Sequence, residues 1–91
     1  MKEQAFETFL TNEPTITSAK AVTARMAKAR KIETVLGKNL DDIVSADNSM
    51  YDALLTLQAL DTHNVLQNVL RKYYKFTHQR EFPRLRNYKN P

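Results

Sequence analysis

Only one of the 91 residues in this chain is a glycine, Gly37, and none is a cysteine. Glycine supplies the left-handed backbone that tight two-residue hairpins need, so a meander of short strands is a poor fit. Glycine-rich phosphate loops are excluded with it. The lack of cysteine removes disulfide scaffolds, thiolate zinc sites and thiol nucleophiles. A chain this short buries roughly two-thirds of its surface on folding, enough for a single core. It cannot hold a substrate domain and a cofactor domain together.

Apolar residues recur at spacings of three and four, the period of a helix face. Four helices are expected. The first runs from about Lys2 to Leu10, with Ala5, Phe6, Phe9 and Leu10 as its stripe, and ends at Asn12-Glu13-Pro14 because proline pushes its predecessor out of helical space. The second starts at Thr17 or Ser18, either a good N-cap, and stops at Gly37, where a left-handed C-cap suits glycine. Val22, Met26, Ala29, Ile32, Val35 and Leu36 line it. Residues 37–44 form a connector anchored by Leu40 and Ile43. The third helix begins between Ser45 and Ser49 and continues through Met50, Ala53, Leu54 and Leu57 to about Leu60. The fourth is capped by Asp61 or Thr62 and runs to about His78 through Leu66, Val69, Leu70, Tyr73 and Phe76; Pro83 bars its extension. The fold expected is therefore all-α, a small four-helix bundle over residues 1–79. Residues 80–91 read as a basic tail or linker.

Net charge is +4, unevenly distributed. Residues 1–17 carry one Lys and three Glu, and residues 18–38 six bases against Glu33. Residues 39–61 carry five Asp and no base; residues 62–91 carry seven bases against Glu81. If the two basic blocks share a face, that face is a phosphate-binding footprint.

The helix faces sharpen this. At about 100° per residue, Asn64, Asn68, Arg71 and Lys75 form a stripe opposite the apolar side of the fourth helix, flanked by Gln67 and His78. No carboxylate lies within the stripe. Amides suit adenine edges, Arg suits guanine and Lys suits phosphate. On the second helix, Lys20, Lys28 and Lys31 share a sector with Thr23, Ala24 and Ala27, small residues that let a backbone approach a duplex. The candidate DNA-binding set is Ser18, Lys20, Thr23, Lys28, Lys31, Asn64, Gln67, Asn68, Arg71, Lys75, Arg84, Arg86 and Lys89. Asn64, Gln67 and Asn68 are the base readers, and the C-terminal Arg84, Arg86 and Lys89 follow the DNA backbone.

Catalytic patterns are weak. His63 and His78 have no partner at metal-ligand spacing. Asp41-Asp42 reads as an acidic approach to a helix. Tyr73, Tyr74 and Tyr88 lack an activating base or phosphate clamp. No cofactor is expected. No apolar run approaches the ~20 residues of a membrane span, and Met1-Lys2-Glu3-Gln4 has no apolar signal region. The expectation is a cytoplasmic, nucleoid-associated protein. The rival is a stand-alone interaction module whose basic faces meet an acidic protein, with Tyr51 and Leu55 exposed for another chain.

The order of these pieces resembles the N-terminal core-binding domain of tyrosine recombinases, the phage-integrase family. Phe6-Glu7-Thr8-Phe9-Leu10 is similar to the family's opening aromatic helix. Ile16-Thr17-Ser18-Ala19-Lys20-Ala21 stands at the place of its leucine-serine-x-x-threonine helix start. The stretch from Ile32 to Ile43 resembles its helix end and acidic connector, and Val69-Leu70-Arg71-Lys72-Tyr73-Tyr74-Lys75-Phe76 its last helix. Asn90-Pro91 looks like the dipeptide leading into the catalytic domain. Arg25 stands where the family often has Tyr, and Ala21 where it often has Thr. The resemblance implies a SAM-like helical bundle that clamps duplex DNA during recombination or integration. It implies that the reacting Tyr, an Arg and a His-x-x-Arg pair belong to a separate C-terminal domain. His78-Gln79-Arg80 has one spacer where that pair has two. The chain itself is then a non-catalytic arm, with duplex DNA, the catalytic domain and other protomers as partners.

Overall fold

The computed structural model describes residues 1–61 and 63–88. It contains five α-helices in chain order: α1 Glu3–Thr11, α2 Ala19–Leu36, α3 Leu40–Val44, α4 Asp47–Leu60 and α5 Val65–His78, then a 3-10 turn over Leu85–Asn87. Among the described residues there is no strand, so the bundle is all-α as expected. The connector differs from a plain link, since Leu40–Val44 closes one helical turn of its own. Asn39 Oδ1 accepts the Asp41 amide at 2.8 Å and Glu33 Oε2 accepts the Leu40 amide at 2.9 Å. Leu40, Ile43 and Val44 are fully buried beneath that turn.

Local chemistry sets the ends of α2. Ser18 is extended, and its Oγ accepts the Ala21 amide at 3.1 Å, satisfying one of the free N–H groups of the first turn. Gly37 sits at φ +65°, and its amide returns to Glu33 O at 2.9 Å. The start of α5 is less regular. Asn64, the residue before the helix, is left-handed at φ +59° and makes no side-chain cap. Asp61 Oδ2 caps instead, accepting the Gln67 amide at 3.1 Å. The helix therefore begins at Val65, later than expected. The alternative cap, Thr62, lies outside the described residues.

Helix α5 is the hub, packing against α1, α2, α3 and α4. Tyr73 and Tyr74 are fully buried beside Phe6, Leu10, Ile32, Met50, Leu54 and Leu57. The Phe6 and Tyr73 rings meet edge-on at 4.8 Å, a favoured aromatic geometry. Each buried phenol has a carboxylate partner: Tyr73 donates to Asp41 and Tyr74 donates to Asp47 at 2.7 Å. Tyr73 also accepts the Lys2 amide at 2.9 Å, so it ties α1 and α3 to α5. Ala5 and Val35, expected in the apolar stripes, are exposed.

The segment after α5 departs from the expectation of a tail. Phe82 is buried, edge-on to Tyr74 at 5.1 Å. Arg71 Nη1 donates to the carbonyls of Phe82 at 2.8 Å and Pro83 at 3.2 Å. Tyr88 stacks on Tyr51 at 4.9 Å and donates to Asn48 at 2.8 Å. Residues 80–88 therefore fold back on the bundle, because an aromatic pair and an arginine clamp outweigh a basic composition. Tyr51 is covered by this return, whereas Leu55 is exposed as expected.

Candidate nucleic-acid interface

Helices α2 and α5 lie side by side, and the returning C-terminal segment closes one end of the furrow between them. The result is a cleft of about 770 Å³. Its apolar lining is Ala24, Val65, Val69 and Phe82. Around these stand six cations: Arg25 and Lys28 from α2, Arg71, Lys72 and Lys75 from α5, and Arg84 from the segment. Asn68 is the amide among them and Glu81 the carboxylate. Helical spacing explains the clustering, because residues three and four apart share a face. Ala24 adds to it by leaving the α2 wall low between the longer side chains.

Electrostatics differ along this cleft. Glu13, from the α1–α2 link, lies outside the lining and accepts hydrogen bonds from Lys72 at 2.7 Å and Lys75 at 3.3 Å. The Lys72 hydrogen bond, helped by Lys75, holds the Glu13 carboxyl below the usual carboxylate range, against the opposing effect of burial. The α5 stripe lacks carboxylates in sequence but meets two in space, Glu13 and Glu81. Arg71 is half-buried, and burial lowers its pKa while Glu81 partly offsets that. It stays charged, as Arg does in proteins. Its guanidinium also lies 5.9 Å over the Phe82 ring.

A second cleft, of about 320 Å³, lies on the other side of Asn68, Arg71 and Arg84, which line both. It adds Gln58, Asn64, Gln67, Leu85 and Arg86. Among the described residues no carboxylate lines it. Gln67 is only 6% exposed. Its Nε2 donates to Asn64 Oδ1 at 2.9 Å. Gln67 is thus a recessed member of the cleft wall and not a projecting side chain.

The other expected residues distribute as follows. Lys28, Asn68, Arg71, Lys75 and Arg84 come together in the larger cleft, and Asn64, Gln67 and Arg86 join three of these in the smaller one. Lys20 and Lys31 are exposed on α2 outside both linings. The Ser18 hydroxyl is engaged as the N-cap of α2, and Thr23 Oγ1 donates to Ala19 O at 3.1 Å. Lys89 lies outside the described residues. His78 does not flank the stripe: its Nε2 sits 2.7 Å from Val44 O and its ring 4.4 Å from Tyr74. Arg25, Lys72 and Gln58 were not singled out by sequence. Lys72 lies next to the stripe in helical phase, and Arg25 is three residues from Lys28, so both were within reach of that reasoning.

The three tyrosines sit in structural settings. Burial, then the hydrogen bond to Asp41, pushes the Tyr73 phenol well above its ordinary value. Burial, then Asp47, pushes Tyr74 up to about 12. Among the described residues no three potential metal ligands cluster, and no helix is long and apolar enough to cross a membrane. Comparison with protein-family models, with curated proteins and with solved structures gave no match.

Proposed function

We propose that this chain is a DNA-binding module that seats a phosphate backbone along the α2–α5 cleft. The observation that carries the reading is the convergence of six cations from three separate stretches of sequence on one concave surface. Phosphate neutralisation by Lys and Arg, with release of condensed counterions, supplies most of the affinity of such sites. Lys28 and Lys75, from opposite walls, hold the backbone. Asn68, exposed on the ridge between the clefts, reaches for a base edge. In this role the module is an arm that grips DNA for a catalytic domain, in keeping with the resemblance to the core-binding domain of tyrosine recombinases.

The test is fluorescence anisotropy on duplex DNA at several salt concentrations. With about five phosphates engaged, log affinity falls with log salt at a slope of about −4 to −5. Lys28→Ala and Lys75→Ala each weaken binding on every sequence and flatten the slope by about one unit. Asn68→Ala costs about 1–3 kcal/mol on a cognate site and little on random DNA. Undetectable binding at low salt refutes the reading. Equal binding of an acidic peptide, insensitive to Asn68→Ala, replaces it with an acidic protein partner.

A further inference from the structure

The smaller cleft has a different chemistry from the larger one. It is the amide-rich side: Gln58, Asn64, Gln67 and Asn68 line it with Arg71, Arg84 and Arg86, and no carboxylate among the described residues is part of the lining. Gln67 is the unusual member. It is more than nine-tenths buried, and among the described residues its side-chain Nε2 donates to Asn64 Oδ1. Gln67 is nonetheless one of the residues that line the cleft. Asn64 holds that side-chain amide from a left-handed backbone position, and Asp61 is committed to the Gln67 backbone N–H. The side-chain amide is thus tethered at the cleft wall through its Nε2. Arg71 is likewise locked, by the Phe82 and Pro83 carbonyls. Arg84 and Arg86 make no ion pair among the described residues.

We infer that this cleft takes one unpaired nucleotide, its phosphate on Arg84 and Arg86 and its base edge on the fixed amides of Gln67 and Asn64. The volume suits one small ligand, at the lower end of the roughly 300–1,000 Å³ of such sites. Amide side chains along the cleft wall suit the Watson–Crick edge of a base, which is accessible only when the base is unpaired. Planar guanidinium groups accept a base face or a phosphate equally well. Asn68, Arg71 and Arg84 belong to both clefts, so a strand on the α2–α5 surface can present an extrahelical nucleotide across that ridge. The inference rests on the DNA-binding reading and narrows its substrate to DNA with an unpaired nucleotide.

The experiment compares three ligands at one salt concentration by anisotropy and competition: a fully paired duplex, the same duplex with a single-nucleotide bulge, and a free nucleoside monophosphate. The bulged duplex is expected to bind about tenfold tighter than the paired one, near 1.4 kcal/mol. Gln58→Ala lies outside the α2–α5 cleft and leaves the paired duplex unchanged, while it cuts the bulge preference below threefold. Asn64→Gly, which keeps the left-handed backbone, does the same to the preference. Competition by the free nucleotide against the bulged duplex alone identifies the cleft as a nucleotide site independent of the strand. Its failure to compete, with the bulge preference intact, assigns the site to a nucleotide within a strand. Equal affinity for paired and bulged duplexes overturns the inference and leaves the DNA-binding reading standing. Loss of binding to both duplexes overturns the DNA-binding reading and the inference with it.

Discussion

Glu13 offsets part of the positive charge of the α2–α5 cleft through two of its lysines. Its carboxylate sits on Lys72 and Lys75, so a phosphate reaching those two lysines competes with it. Glu13→Gln is expected to strengthen duplex binding severalfold and to steepen the salt slope by about one unit. Glu7→Gln, the same charge change at an exposed site on α1, is the control and moves binding less. The same pair carries a pH effect. The folded-state pKa of Glu13 lies below its ordinary value of 4.5, so its contribution to stability is present above that value and is lost as pH falls through the folded pKa. Tyr73 and Tyr74 act at the other end. Their folded pKa values lie above the ordinary 10.0, so stability is retained below pH 10 and falls as the pH rises past it, when only the unfolded phenols ionise. Alkaline unfolding followed by tyrosine absorbance and circular dichroism should begin there. Tyr73→Phe and Tyr74→Phe should each reduce the steepness of the loss.

At the scale of the elements, local chemistry decides the boundaries that were legible in sequence. Ser18 and Gly37 mark α2 because each does a job that few other residues can do. Ser18→Ala should cost about 1 kcal/mol through the lost cap. Gly37→Ala, with nothing within 4 Å of an added Cβ, should cost about 1 kcal/mol from backbone conformation alone. Denaturant midpoints measure both. The start of α5 was harder to read, because its cap reaches forward from Asp61 across a left-handed asparagine, a pattern without a short motif. Helix α3 was hidden for a related reason: five residues are too few to show a period. The interface was half legible. Helical phase placed Asn68, Arg71 and Lys75 on one face of α5, but Glu13 and Glu81 reach that face from other segments, and spacing within one helix says nothing of them.

For the molecule as a whole, the segment after α5 changes the architecture from four helices and a tail to a closed bundle. Phe82 was obscured by the proline that follows it and by the basic residues around it. Its ring lies on Tyr74, and its carbonyl, with that of Pro83, anchors Arg71. Phe82→Ala should therefore destabilise the fold by about 3–5 kcal/mol, the usual cost of emptying a buried phenylalanine site. It should also loosen the wall that Arg84 and Glu81 form and weaken DNA binding beyond what Lys75→Ala does. Thermal melts with anisotropy on the folded fraction separate the two effects.

Helix α5 touches every other helix in the bundle. An element enclosed in this way has no local route to open, so its middle amides, from Val69 to Tyr74, can trade hydrogen for deuterium only when the whole domain comes apart. Helix α1, which meets only part of the bundle, can fray first. The side chains at the centre of both clefts thus stand on the slowest-exchanging stretch of the chain.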